Sequence, residues 1–116
     1  MDAATWLATL RHDLVKRLLW PARDRLDLGG APAPGELLPS LLDGHGRPTT
    51  AAALWRTLRA GAPAELARAT AGLDAFEAAL ARALAAAESG DVAGVLAVEA
   101  DFEALARLAR SWDGSR

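Results

Sequence analysis

The stretch LRHDLVKRLLW, residues 10–20, holds the side chains best placed to do chemistry. His12 is followed by Asp13, with Lys16 one helical turn on and Arg23 beyond it. A histidine that accepts a phosphoryl group must be exposed, with basic neighbours to steer and offset the incoming charge. Exposure follows from spacing. Ala3, Leu7, Leu10, Leu14 and Leu18 step by four, three, four and four, which makes one apolar stripe of a helix. At about 100° per residue, His12 projects about 160° from the centre of that stripe. The same placement suits a histidine that is merely solvated on an outer face, and this plainer reading comes first.

Other candidates are thinner. His45, in DGHGRP, follows Asp43 by two residues in a glycine-flanked turn. A metal site needs at least three converging ligands, and no second histidine is near it in sequence, so no metal is expected. Glu99, Asp101 and Glu103 form an acidic run, and Arg107 lies four residues beyond Glu103, where an ordinary helix ion pair forms. The Glu-x-x-His pattern of a di-metal carboxylate bundle is missing. Ser40, Ser89, Ser111 and Ser115 fall at loop or helix-end positions without a Ser-x-x-Lys or nucleophile-elbow context. No catalytic residue, no cofactor-binding residue and no cofactor is assigned, and the expected class is not an enzyme.

Leu10-Arg11-His12-Asp13, with Leu18 eight residues after Leu10, resembles the phosphorylated-histidine box of sporulation-type phosphotransferases and related sensor kinases. That resemblance covers residues 10–18. It implies a helical hairpin that dimerises into a four-helix bundle and passes phosphate from His12 to a response-regulator aspartate. Where that family has asparagine four residues after the histidine, this chain has Lys16, and Pro21 stands where the family's helix runs on. No nucleotide-binding segment follows, which leaves relay rather than autophosphorylation. Histidine-phosphotransfer domains are similar in length and bundle architecture. Their lysine-glycine pair, three and four residues after the histidine, is replaced here by Val15-Lys16.

Composition narrows the classes further. At 116 residues the chain makes one domain, residues 1–116, able to build a core without staples. With no cysteine it has neither disulfides nor thiolate chemistry. Twelve arginines against the single Lys16, and an abundance of alanine, are the bias of a GC-rich genome. Residues 1–62 carry eight basic and six acidic side chains, and residues 63–116 carry five and nine. The first helix interleaves its positive residues with Asp13, Asp24 and Asp27, so a nucleic-acid face is not expected. No stretch approaches the roughly 20 apolar residues of a bilayer span, and the N-terminus lacks the pattern of a secretory signal. No membrane partner and a cytoplasmic location are expected.

Alanine, leucine and arginine are strong helix formers, and β-branched residues are scarce. The fold class predicted is all-α: a small up-down bundle of three to four helices ending in a long antiparallel hairpin. Helix 1 should cover about residues 2–20, kinking or stopping at Pro21, with a short extension to Gly29-Gly30. Residues 29–48, which hold four of six prolines and five of ten glycines, should be loop with one or two helical turns at 36–42. Thr49 or Thr50 can cap a helix over about 49–60. Across about 63–112, Leu66, Leu73, Phe76, Leu80, Ala83 and Ala87, then Val95, Val98, Phe102, Leu105, Ala109 and Trp112, form two facing stripes. Between them, Gly90 can adopt a left-handed cap and Asp91 can open the next helix.

Leu19 and Trp20 stand out because the helix wheel puts them about 140° and 120° from the stripe, on the face of His12, Lys16 and Arg23. Two large apolar side chains there either are covered by residues 31–48, through Leu37, Leu38, Leu41 and Leu42, or form an interface. The expected function is a non-enzymatic helical protein acting through contacts with a protein partner, self-association included, with Leu19 and Trp20 as interface candidates. The alternative is a phosphotransfer module using His12, with Lys16 and Arg23 nearby.

Overall fold

The first helix opens at Asp2, whose Oδ1 accepts the Thr5 N–H at 2.8 Å. The structure, a computed structural model, describes the backbone of residues 2–114 and the side chains of residues 2–110. Trp112 and Ser111 lie in a helix but their side chains, like all of Ser115, fall outside the described residues.

One long rod runs over residues 3–28: α1 (Ala3–Leu10), a π-helical turn (Arg11–Val15) and α2 (Lys16–Leu28). In the π turn the Lys16 N–H bonds the Arg11 carbonyl, five residues back instead of four. A second departure from expectation is that Pro21 neither stops nor ends the helix, which runs on to Leu28. Proline removes one backbone bond and costs about 3 kcal/mol in a helix interior. What offsets this is tertiary: Leu18, Leu19 and Ala22 are buried against the rest of the core around the proline. Downstream, Arg23 pairs with Glu99 at 2.5 Å and Arg25 pairs with Glu36.

Residues 36–42 form no helix, only the end of two tight turns closed by the Glu36 N–H on the Ala33 carbonyl (3.0 Å) and the Leu38 N–H on the Gly35 carbonyl (3.2 Å). Instead β1 (Leu41–Leu42) and β2 (Pro48–Thr49) make a minimal antiparallel ladder, with Leu41 opposite Thr49 and Leu42 opposite Pro48. The Asp43 carboxylate closes the loop between them by accepting the N–H groups of His45 (2.8 Å) and Arg47 (3.0 Å). Those local bonds outcompete a helix. Leu37 and Leu41 reach the core, while Leu38 and Leu42 stay exposed.

Thr50 caps α3 (Ala51–Ala60) by accepting the Ala53 N–H at 3.1 Å. The hairpin begins later than periodicity suggests. Leu66 belongs to a separate turn, α4 (Ala64–Ala67), and the first arm is α5 (Thr70–Ser89), because Ala69 takes a non-helical ψ of 54°. Gly90 (φ 77°) ends α5 in the left-handed region, and Asp91 caps the return by accepting the Gly94 N–H at 3.1 Å. The returning arm is α6 (Val92–Leu96) and α7 (Val98–Gly114), interrupted only at Ala97.

The helices enclose one core. Trp6 of α1, Trp55 of α3 and Phe76 of α5 pack in a row, the first pair edge to face and the second tilted, with ring centroids 6.2 Å and 4.9 Å apart. Both indoles also donate, Trp6 Nε1 to the Leu58 carbonyl (2.8 Å) and Trp55 Nε1 to Glu77 (2.9 Å). Leu73, Phe76, Leu80, Ala83 and Ala87 face Val95, Val98, Phe102, Leu105 and Ala109 in that core, as their spacing predicts. The molecule is an all-α helical bundle, and no helix among the described residues is long and apolar enough to cross a membrane.

Candidate functional site

The outer face of the residue 3–28 rod carries most of the side chains the sequence singles out, and the π turn decides how they are arranged. A π turn holds one residue more than an α turn. Everything after it is therefore turned back by about 100° relative to an uninterrupted helix. Leu19, about 140° from the stripe on a regular wheel, swings to about 40° and into the core. It is 4% exposed, so its assignment to an interface is corrected: Leu19 is a core residue. The same rotation carries Trp20 from about 120° on one side of the stripe to about 140° on the other, so it stays on the outer face, where it is 58% exposed.

Arg11, His12 and Asp13 lie exposed on the π turn. Arg11 leans on the far arm of the hairpin, 3.8 Å from Glu103 and over the Phe102 ring at 5.8 Å. Lys16 is half-buried one turn on, and Arg23 is drawn away to Glu99. Arg23 is thus not available as the basic neighbour of His12. The ion pair expected between Glu103 and Arg107 is replaced by one to Arg110 at 4.0 Å, alongside that to Arg11. Glu99 and Glu103 therefore serve as anchors for arginines from other turns and helices. No group of three potential metal ligands converges among the described residues.

Beside the π turn, an open groove of about 660 Å³ runs between Asp13 and Arg17 on the rod and Ser40, Leu42 and Asp43 on the loop. The Asp43 carboxyl is held below its ordinary pKa by the N–H bonds from Arg47 and then His45. Its Oδ1 is engaged in closing its own turn, and His45 is exposed there. Ser89 is likewise spent on structure, its hydroxyl donating to the Ala86 carbonyl at 3.1 Å. Among the described residues no hydrogen bond joins Ser40 to Asp13 or Asp43 along the groove.

What remains is a helix face. The other aromatic side chains among the described residues, Trp6, Trp55, Phe76 and Phe102, are buried. Around Trp20 stand Lys16 and Arg17 on its N-terminal side and Asp24 and Asp27 on its C-terminal side. None of these four makes an ion pair or side-chain hydrogen bond within the described residues. Sequence reasoning gave these aspartates no role beyond breaking up a basic face. Their signal was available in the change of charge sign across Trp20 and in their spacing within α2, whereas the π rotation that sets where this face points was not. No protein-family model, no curated protein and no solved structure matches the chain.

Proposed function

We propose that the chain is a non-enzymatic helical protein that works by protein–protein contact, and that its contact face is the outer surface of α2 centred on Trp20. The observation that carries this is the 58% exposure of Trp20 in a molecule that buries its other described aromatics. Leaving an indole in water forgoes a few kcal/mol of burial, and tryptophan beside arginine is the composition of binding hot spots. A photoreactive amino acid in place of Trp20, in cells that make the protein, tests the reading. Irradiation is expected to give a discrete protein adduct from position 20 and none from Arg82, an exposed control on α5. No adduct from position 20 would overturn it.

A second reading has one feature in its favour: His12 is exposed on a π turn, a helical irregularity that recurs at functional sites, with Lys16 close by in sequence. In it, a ring nitrogen of His12 attacks the phosphorus of a regulator's aspartyl phosphate, the N–P bond forms, and the carboxylate leaves. Phosphorylated regulator would then label the chain with an acid-labile, alkali-stable phosphate that His12→Ala abolishes. We expect no label.

A further inference from the structure

We infer that the partner on the α2 face is a second copy of this chain, packed antiparallel about a two-fold axis at Trp20. This rests on the contact reading above and adds the identity of the partner.

The basis is the charge pattern on that face. Taking Trp20 as the origin at about 100° per residue, Arg17 and Asp24 fall about 60° and 40° to one flank. Lys16 and Asp27 fall about 40° and 20° to the other. Both basic residues precede Trp20 and both acidic residues follow it. A two-fold axis relating antiparallel helices reverses height along the helix and preserves the flank. At about 1.5 Å per residue, Arg17 then comes within about 1.5 Å in height of the partner's Asp24. Lys16 comes within about 4.5 Å of the partner's Asp27, a gap its long side chain spans. The two indoles meet at the axis. Each copy thus supplies two cations and two anions, and receives the opposite set in the same places.

Parallel pairing about an axis along the helices would exchange the flanks and set Lys16 against the partner's Arg17 and Asp24 against the partner's Asp27, like charge on like charge, so the pattern selects one orientation. Arg23 shares the Lys16 flank and would meet the partner's Lys16, but its charge is already offset by Glu99 at 2.5 Å. The face is narrow, with one large apolar anchor per copy. Such an interface sits at the small end of specific contacts, so a dissociation constant on the order of micromolar is expected.

Charge-reversed chains test this directly. One carries Lys16→Glu and Arg17→Glu, and the other Asp24→Lys and Asp27→Lys. In sedimentation equilibrium, the wild type should dimerise and each reversed chain alone should dimerise at least about tenfold more weakly. An equimolar mixture should recover wild-type association as a heterodimer. Circular dichroism should show all chains equally helical; where a reversal disturbs folding, the neutral pair Asp24→Asn and Asp27→Asn should weaken dimerisation in the same direction. A wild type that stays monomeric at hundreds of micromolar, or a mixture that does not pair, overturns the inference. If position 20 cross-links to a different protein while the chain stays monomeric, the self-pairing fails and the contact function stands. If position 20 cross-links to nothing, both fail.

Discussion

Gly94 sits where α6 comes nearest α5. A β-carbon placed on it would lie 2.6 Å from the Ala86 Cβ and 2.6 Å from the Asp91 carboxylate that caps the helix. Alanine is the better helix former by about 1 kcal/mol, so in an open helix the change would stabilise. Here the neighbour is a Cβ fixed to its own backbone, and overpacking of that kind costs about 1–3 kcal/mol. Gly94→Ala should therefore lower the melting temperature, and a thermal unfolding curve checks it. Gly90 combines two constraints: a φ of 77° that disfavours any side chain, and the Pro32 carbonyl oxygen 3.0 Å from where a Cβ would stand. Gly90→Val should destabilise by about 1 kcal/mol or more. A neutral outcome would mean that the chain does not turn there as described.

Among the elements, the hairpin was legible and the rod was not. The hairpin's stripes repeat at regular helical steps, and Gly90-Asp91 carries its own stop and start chemistry, so local residues alone specify it. The rod depends on effects a wheel cannot contain. Nothing local in Arg11–Val15 announces a π turn, and the continuation past Pro21 is decided by burial of Leu18, Leu19 and Ala22 against distant helices. The 36–42 segment was misjudged for the opposite reason: the Asp43 turn is short-range, but its bonds to His45 and Arg47 favour a ladder over a helix. For the same reason the candidate site was only half legible. Trp20 was visible as an anomaly, whereas Leu19 was placed on the wrong side. At this scale the caps give a clean test: Asp91→Ala leaves the Gly94 N–H without its acceptor and should cost about 1 kcal/mol in denaturant unfolding.

For the molecule as a whole, acid should loosen the fold through its exposed caps and turns, since no charged residue is buried among the described ones. Asp2, through the Thr5 N–H, and Asp43, through Arg47 and then His45, both have carboxyl pKa values lowered in the folded state. Their stabilisation is full above the unfolded carboxylate value and is lost as pH falls through the lower folded value. Stability should thus decline from about pH 5 downward, and Asp2→Asn with Asp43→Asn should flatten that limb. Equilibrium unfolding at a series of acidic pH values checks it; an unchanged slope in the double variant would show that these carboxylates do not contribute.

The π turn also holds one residue more than the phase of the rod requires. On either side of it the rod keeps one face to the core: α1 brings Trp6 and Leu10 inward, and α2 brings Leu18, Leu19 and Ala22 inward. Loss of a single codon within residues 11–15 would return the coil to uniform pitch, and the residue lost and the rotation lost would cancel. Helix content would hardly change, and α2 would still turn Leu18 inward and Trp20 outward. Deleting His12 should therefore be nearly as mild as substituting it, a tolerance of indels that is uncommon within a helix. Melting of His12→Ala beside the chain lacking residue 12 would show it, and a far lower melting temperature for the deletion would mean that the extra residue does more than fill the turn.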